Sequence, residues 1–282
     1  MNSTLVTGGT GFFSRSFVKS CLRTGSSDRV CIYSRNEYNQ FLMRQEFCDD
    51  PRLRFFIGDV RDRDRLRRAM EGCDSVVHAA ALKRIEVGAY DPIEMVKTNV
   101  VGTMNVIEAA MDAGVGKVVF LSSDKAFEPI SAYGQSKAIA ESLILAANNM
   151  RGSFGPLFSV TRYGNVAGST GSVIPIWRKM IADGATKVPV TDPDCTRFYM
   201  TEQEAVDLVQ QTLIDMRGGE LVIPENLPAY RLGDLAQAMG VQMDVRGLAK
   251  HEKRHEGMRS GLTSDKVRRM SVEEIKEALK NV

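Results

Sequence analysis

An α/β chain built on a doubly wound parallel sheet, with a smaller irregular carboxyl-terminal lobe, is the fold class that the sequence predicts. Two observations carry it. Over the first two-thirds of the 282 residues, short β-branched runs alternate with longer stretches of helical period, the pattern of parallel strands joined by crossover helices on both faces of a sheet. The runs are also apolar without alternation, as in Val76-Val77-His78-Ala79-Ala80 and Val118-Val119-Phe120-Leu121, which suits strands buried on both sides.

Taken in order, strands are expected at Thr4–Thr7, Arg29–Tyr33, Leu53–Ile57, Ser75–Ala79, Lys117–Leu121 and Phe158–Tyr163. Helices fall between them at Phe12–Arg23, Glu37–Phe47, Arg61–Glu71, Ile93–Ala113 and Ala132–Met150. After about Gly164, Pro and Gly become frequent and the helices isolated: Val173–Ala182, Thr201–Met216, Leu232–Met239 and Val272–Lys280. This division sets residues 1–165 apart as a nucleotide-binding domain carrying the catalytic helix. Residues 166–282 read mainly as a substrate-binding lobe at the sheet's carboxyl edge, where ligands bind in open α/β sheets. The boundary between the two is loose and interleaved.

Composition narrows the function classes. Lys and Arg total 37 against 35 Asp and Glu, a net charge of +2, so no basic excess is present to neutralise nucleic-acid phosphates. No apolar run reaches the ~20 residues of a membrane span, and the amino terminus lacks the basic and apolar regions of a signal peptide. The five scattered cysteines form no CxxC pair and the three histidines no cluster, so neither a disulfide framework nor a metal site is expected. These features describe a cytoplasmic enzyme-sized protein.

The first strand–turn–helix holds Thr7-Gly8-Gly9-Thr10-Gly11-Phe12-Phe13-Ser14. Gly8 and Gly11 allow a tight turn and close backbone approach to a pyrophosphate, which the free N–H groups of the following helix then hold. Ser14 stands where a third glycine is expected, and is small enough for close helix–strand packing. At the end of the second strand the sequence reads Ser34-Arg35-Asn36 rather than an acidic residue. A hydroxyl and a guanidinium suit a ribose 2′-phosphate, which favours NADP; the plainer reading of Arg35 is a solvated surface side chain. Asp59 and Val60, ending the third strand, suit an adenine amino group and ring.

Tyr133 and Lys137, four residues apart on an expected helix, share one face. An ammonium beside a phenol stabilises the phenolate, which can take an alcohol's proton while hydride leaves its carbon. Ser123, at the end of the fifth strand, can bond the same alcohol. A chance Y-x-x-x-K on an amphipathic helix is common, so the pair gains meaning from the glycine turn upstream. His78 reads as a packed strand histidine.

These residues, with HAAALK (Ala79, Ala80, Ala81 and Lys83 among them), Asn99 in KTNVVGT and the Asp59-Val60 pair, resemble the extended short-chain dehydrogenase/reductase family, whose core is Rossmann-like. The finer similarity, over roughly residues 3–240, is to nucleotide-sugar 4,6-dehydratases acting on UDP-N-acetylglucosamine, carried by LSSDKAFEPISAYGQSK, RYGNVAGSTGSVIP and VTDPDCTRFYMTEQEAVDLV. Its most specific element is Asp124-Lys125. The resemblance implies Lys125 as the base at sugar C5, Asp124 as the acid for the C6 hydroxyl, and a recycled NADP. It implies Lys83 near cofactor or substrate and Asn99 orienting Lys137 through water. Tyr163, Asn165 and Val166 fall at the cofactor, and Asn165, Val173, Pro175 and Arg197 at the sugar nucleotide, Arg197 on its diphosphate. Tyrosine at position 133 resembles the C5-inverting subgroup, and the resemblance implies at least a homodimer, through whatever part of the apolar stripes of the Ile93–Ala113 and Ala132–Met150 helices does not cover the sheet. Such an enzyme supplies a 4-keto-6-deoxy sugar for a surface glycan.

Residues 246–269 hold eight Lys/Arg against three Asp/Glu, a tail whose charge would suit closure over a diphosphate, with closure itself left open because Ala249-Lys250-His251-Glu252-Lys253 departs from the family's Arg-Pro-Gly-Glu-Lys. Two rivals stay open: a UDP-sugar 4-epimerase, which needs Tyr133 and Lys137 but not Asp124-Lys125, and a non-catalytic NADP-binding sensor, which needs neither pair.

Overall fold

The computed structural model describes residues 2–282. Thirteen strands and eleven α-helices are assigned among them. Strands β1 (Ser3–Thr7), β2 (Arg29–Ser34), β3 (Leu53–Ile57), β4 (Ser75–His78), β5 (Lys117–Leu121) and β6 (Leu157–Thr161) match the six expected strands to within one or two residues at each end. In the carboxyl-terminal part, β7 (Lys187–Val190) pairs with β11 (Gln242–Val245), β8 (Thr196–Phe198) with β10 (Ala229–Arg231), and β12 (Gly257–Arg259) with β13 (Leu262–Thr263). A seventh member of the main sheet, β9 (Leu221–Val222), is too short to leave a sequence pattern.

The main sheet has the order β3-β2-β1-β4-β5-β6-β9 and is parallel throughout. Strand order reverses between β1 and β4, and at such a switch point the loops diverge and leave a crevice at the carboxyl ends. Alternate residues of each strand enter different cores. Leu5, Tyr33, Val76, Phe120 and Val160 pack on one face with α3 (Arg63–Met70), α6 (Gly102–Asp112) and α7 (Ala132–Met150). Val6, Ile32, Val77, Val119 and Leu121 pack on the other with α1 (Phe12–Thr24), α2 (Glu37–Glu46) and α9 (Glu202–Asp215). A third core joins α8 (Val173–Ala182), α10 (Leu232–Ala238) and α11 (Val272–Leu279) through Trp177, Val190, Tyr230, Leu235 and Ile275. Because α9 and β9 return to the main sheet, the chain after residue 165 contributes to both bodies.

Local sequence explains the helix starts. Asn36, Asp62, Ser131 and Thr201 each accept a bond from a first-turn backbone N–H, and Thr201 forms a full capping box with Glu204, the contacts that satisfy orphan donors. The single helix expected at Ile93–Ala113 is more complex. A short α4 (Ile85–Tyr90) precedes α5 (Pro92–Val96), and a π-helical turn at Lys97–Val101 lies between α5 and α6. An extra residue in one turn does not disturb the apolar period enough to be visible in sequence.

Candidate active site

The turn from β1 to α1 is shaped for an anion. Gly8 has φ +64°, and a Cβ there would meet the backbone of Ala80 at 2.9 Å, so only glycine brings the two loops this close. The Gly11 N–H donates to the Gly8 carbonyl at 2.8 Å. Gly11 caps α1 without a side chain, and the first turn holds no acidic residue, which leaves the helix amino end open to a phosphate. Ser14 is buried in the packing as expected. Gly8, Thr10, Gly11, Phe12 and Phe13 line one end of a cleft of about 810 Å³. Thr7 does not line it. Its hydroxyl is buried, paired with His78 Nδ1 at 2.7 Å and accepting from the Ala80 N–H at 3.2 Å.

Ser34, Arg35, Asn36, Asp59 and Val60 form the next wall, with Ala79, Ala80 and Ala81 opposite. Ser34 Oγ accepts from Gln40 Nε2 at 3.0 Å, and Asn36 Oδ1 is used as the α2 cap. Arg35 is over half exposed and approaches Asp59 at 3.9 Å, a loose contact that leaves its guanidinium free to turn. Burial raises the Asp59 carboxyl, but bonds from Arg61, with Arg35 beside them, hold it below its usual range. Asp59 is therefore a partnered carboxylate with limited capacity for an adenine.

At the far end of β5, Ser123, Lys125, Tyr133 and Lys137 line the cleft. The Ser131 cap starts α7 beneath the turn at Asp124–Ala126. That contact depends on Gly134, where a Cβ would lie 2.3 Å from the Lys125 carbonyl. Asp124 is 1% exposed and sits under the cleft floor. Its Oδ1 accepts from Ser123 Oγ at 2.8 Å and from Lys125 Nζ at 3.2 Å, while Oδ2 has no partner. Burial and the nearby Glu256 carboxylate raise the Asp124 carboxyl against the pull of Lys125. Burial alone disfavours the Lys125 ammonium, but the carboxylates of Asp124 and Glu256 reverse this and hold it above its ordinary range.

The relation between Tyr133 and Lys137 differs from expectation. Burial raises the Tyr133 phenol, and the cation offsetting that rise is Lys125. Lys137 instead points its Nζ at the Leu121 carbonyl, 2.5 Å away, and over the Phe120 ring at 4.0 Å to its centroid. Burial lowers its ammonium to about 7. Asn99, expected to orient Lys137, bonds elsewhere. Its amide brackets the Leu82 backbone at 2.8 and 2.9 Å and donates to Ser136 Oγ at 2.9 Å. From its π turn, Asn99 ties the loop after β4 to the start of α7, and it does not line the cleft. His78 is fully buried between Thr7 and Thr103, with its ring held neutral by burial and by Lys137 at about 3.

On the remaining side, Lys83, Tyr163, Asn165, Val166, Val173 and Arg197 line the cleft, whereas Pro175 lies on α8 outside the lining. Burial, then Arg84, lowers the Lys83 ammonium. Asn165 Oδ1 lies 3.4 Å from Lys125 Nζ. Arg197 is already partnered: it donates to the carbonyls of Thr196 and Arg254 and to Glu252 Oε1 at 2.7 Å. A diphosphate there competes with Glu252. Glu252 and Glu256, both lining the cleft, are the residues that sequence reasoning missed. The signal was two acidic positions inside a tail weighed only for its positive charge. Among the described residues no group of His, Cys, Asp and Glu is arranged to hold a metal ion.

The profile of the family described as polysaccharide biosynthesis protein matches residues 4–277. The UDP-N-acetylglucosamine 4,6-dehydratase (inverting) of Campylobacter jejuni is 43% identical over 256 residues, 90% of this chain and 76% of that protein. A protein of Rickettsia rickettsii named UDP-glucose 4-epimerase is 40% identical over 260 residues, 91% of this chain and 74% of its own length. Among solved structures, Pen from Bacillus thuringiensis superposes with a TM-score of 0.93 at 35% identity, covering 100% of this chain and 98% of that one. With the parallel sheet, the glycine turn and the Tyr133/Lys137 helix in place, the chain belongs to the polysaccharide biosynthesis protein family of extended short-chain dehydrogenases/reductases, among the nucleotide-sugar dehydratases and their epimerase relatives.

Proposed function

We propose that the protein is an NADP-dependent UDP-N-acetylglucosamine 4,6-dehydratase that inverts C5, acting in the cytoplasm as at least a homodimer. The observation that carries this reading is the Asp124-Lys125 pair: a buried carboxyl and an ammonium 3.2 Å apart, with Lys125 lining the cleft beside Tyr133 and Asp124 directly beneath. An epimerase needs one acid–base group at C4. Elimination across C5 and C6 needs two more, with opposite tasks.

The residues present fit a dinucleotide: Gly8 leaves room that a Cβ would fill, and Arg35 has a guanidinium free for a 2′-phosphate. Thr10, Gly11, Phe12 and Phe13 would hold the pyrophosphate end, and Ala79 to Ala81 would flank the ribose. When bound, the nicotinamide supplies the hydride acceptor for C4 and the hydride returned at C6. Tyr133 takes the proton of the C4 hydroxyl. Lys125 takes the C5 proton, acidic once C4 is a ketone. Asp124, whose carboxyl burial raises, gives its proton to the departing C6 hydroxyl, with Ser123 linking the carboxyl to the cleft. Lys83, Asn165, Val173 and Arg197 receive the sugar nucleotide.

The epimerase reading is favoured by one finding, the Rickettsia relative at 40% identity. Incubation with UDP-N-acetylglucosamine followed by mass spectrometry decides between them. Loss of one water supports the dehydratase, and an isomer of unchanged mass supports the epimerase.

A further inference from the structure

Glu256 reaches the catalytic floor from a part of the chain remote in sequence from Asp124 and Lys125. It precedes β12 and is 2% exposed. Its Oε1 lies 3.3 Å from Lys125 Nζ, and its Oε2 is buried with no hydrogen-bond partner. The segment is firmly anchored. The Glu256 N–H donates to Ser264 Oγ at 2.9 Å, the Ser264 N–H returns to the Glu256 carbonyl at 2.8 Å, and Thr196 Oγ1 bonds both His255 and Ser264. Arg162, itself paired with buried Glu141, holds the Met258 carbonyl.

Lys125 thus faces two carboxylates. Two cations, Lys125 and Arg197, face three carboxyls, Asp124, Glu252 and Glu256, so burial favours a proton on one carboxyl. The other charged and titratable groups around the pair decide which. Arg197 from β8 and Lys253 from the same tail act on Glu256, while Tyr133 from α7 and Tyr230 from β10 face Lys125. The extra cations favour Glu256 as the anion and Asp124 as the acid. This leaves Lys125 protonated at rest, without the lone pair that a base needs.

We propose that Glu256 is the positioning residue that makes Lys125 a base, by accepting the ammonium's proton as the C5–H bond approaches. The inference rests on the dehydratase reading for the C5 step. In balance, the Lys125 ammonium passes H⁺ to the Glu256 carboxylate, giving a neutral amine and a carboxylic acid. The amine takes the C5 proton, and the C–H electron pair moves into the enolate of the C4 ketone. Asp124 then gives its proton to the C6 oxygen, the enolate pair forms C5=C6, and water departs. Because C5 inverts, its new proton arrives from the face opposite Lys125, from Tyr133, which holds the proton of the C4 hydroxyl; the proton on Glu256 then passes through Lys125 to Asp124, which restores the Lys125 ammonium, the Glu256 carboxylate and the Asp124 acid.

Internal transfer does not change the number of protons on the pair, so the C5 step becomes independent of pH while the pair shares one proton. Without Glu256, the amine must lose its proton to solvent. The test has two arms. The first uses no substrate: protein labelled with ¹³C at lysine Cε is titrated by NMR, with Lys125 assigned by Lys125→Arg. Glu256→Gln is expected to lower the Lys125 midpoint by about 1–3 pH units, and an unchanged midpoint overturns the proposal. The second measures C5 exchange with deuterated solvent during turnover of UDP-N-acetylglucosamine between about pH 6 and 9. Wild type should be level, Glu256→Gln should rise about tenfold per pH unit, and Glu256→Asp should be level again at a lower rate. A level profile for Glu256→Gln, at any amplitude, overturns the relay, because a structural defect lowers rate without creating a slope. If Glu256→Gln does not fold, Glu256→Ala with and without acetate replaces it: a level profile only with acetate supports the relay, and no effect of acetate overturns it. Wild type that removes no water from UDP-N-acetylglucosamine counts against the dehydratase reading alone, and the NMR arm still decides whether Glu256 controls Lys125.

Discussion

Replacing Lys137 by Met should stabilise the fold while removing activity. Lys137 is 4% exposed, and burial brings its ammonium from 10.5 down to about 7. At about 1.4 kcal/mol per pH unit, that fall disfavours the charged form by about 5 kcal/mol. Two contacts are lost with the amine: the bond to the Leu121 carbonyl, at about 1.5–3 kcal/mol, and the contact with the Phe120 ring, at about 0.5–2 kcal/mol. Methionine fills a similar volume without a charge. The net gain lies at about 0–3 kcal/mol near neutral pH, and its centre, about 1.5 kcal/mol, is roughly 3–6 °C in Tm. Its pH dependence follows from the direction of the change. Between about 7 and 10.5 the unfolded chain binds more protons at this site than the folded one, so wild-type stability rises with pH across that window. The penalty is fully present below 7 and gone above 10.5, and the Met variant's advantage should shrink accordingly. Calorimetry of the protein without added nucleotide, at pH 7 and pH 10, measures both quantities. A Met variant less stable than wild type at pH 7, or an advantage unchanged at pH 10, would refute the reasoning. The expectation is a stability–activity trade-off, with a buried cation kept for its task.

Other consequences are open to direct measurement. Arg35→Asp should reduce or reverse a preference for NADP over NAD, since one charge-assisted hydrogen bond contributes about 1.5–3 kcal/mol, roughly ten- to hundredfold in affinity; equal binding of both nucleotides by wild type would contradict the Arg35 argument. Tyr133→Phe should abolish all turnover, while Asp124→Asn should still exchange the C5 proton and form little product, each change costing about 10²–10⁴ in rate; near-wild-type product formation by Asp124→Asn would return the epimerase reading. The helices expected to pair two copies leave Ile93, Val96, Met104 and Ile139 exposed, while Ile107, Ile144 and Ala147 are used by the core. Light scattering should therefore report at least a dimer at micromolar concentration, and Ile93→Lys with Ile139→Lys should shift it toward monomer.

The sheet and its glycine turn were legible because each is a local pattern. A strand such as Lys117–Leu121 is read from its own five residues, and Gly8 from its place at the first strand end. The candidate site residues were legible as a list, but the way their side chains pair was not. Spacing places Tyr133 and Lys137 on one helical face, yet it does not say where a long flexible amine ends. The Leu121 carbonyl and the Phe120 ring capture it, and Lys125 becomes the cation acting on the phenol. Asn99 illustrates the same limit. A π turn rotates it toward the Leu82 backbone and Ser136, contacts that no 3.6-residue period contains.

The carboxyl-terminal tail was read from its charge count, which does not say which charges reach the cleft: Lys253 does, and so do Glu252 and Glu256. Eight basic residues against three acidic ones suggest a basic flap over a diphosphate. Yet Glu252 and Glu256, two of those three acidic residues, line the cleft and engage Arg197 and Lys125. Arg246, Arg259 and Arg268 instead lie at the surface, each beside an exposed carboxylate. The reason is dielectric. An exposed ion pair is worth about 0–1 kcal/mol, whereas a charge brought into a buried site acts at low screening and sets the proton positions of its neighbours. Burial therefore decides which charges matter in this tail, and only the fold fixes burial. Through Glu256 the carboxyl-terminal lobe becomes part of the electrostatics of the Asp124-Lys125 pair as well as a wall of the cleft.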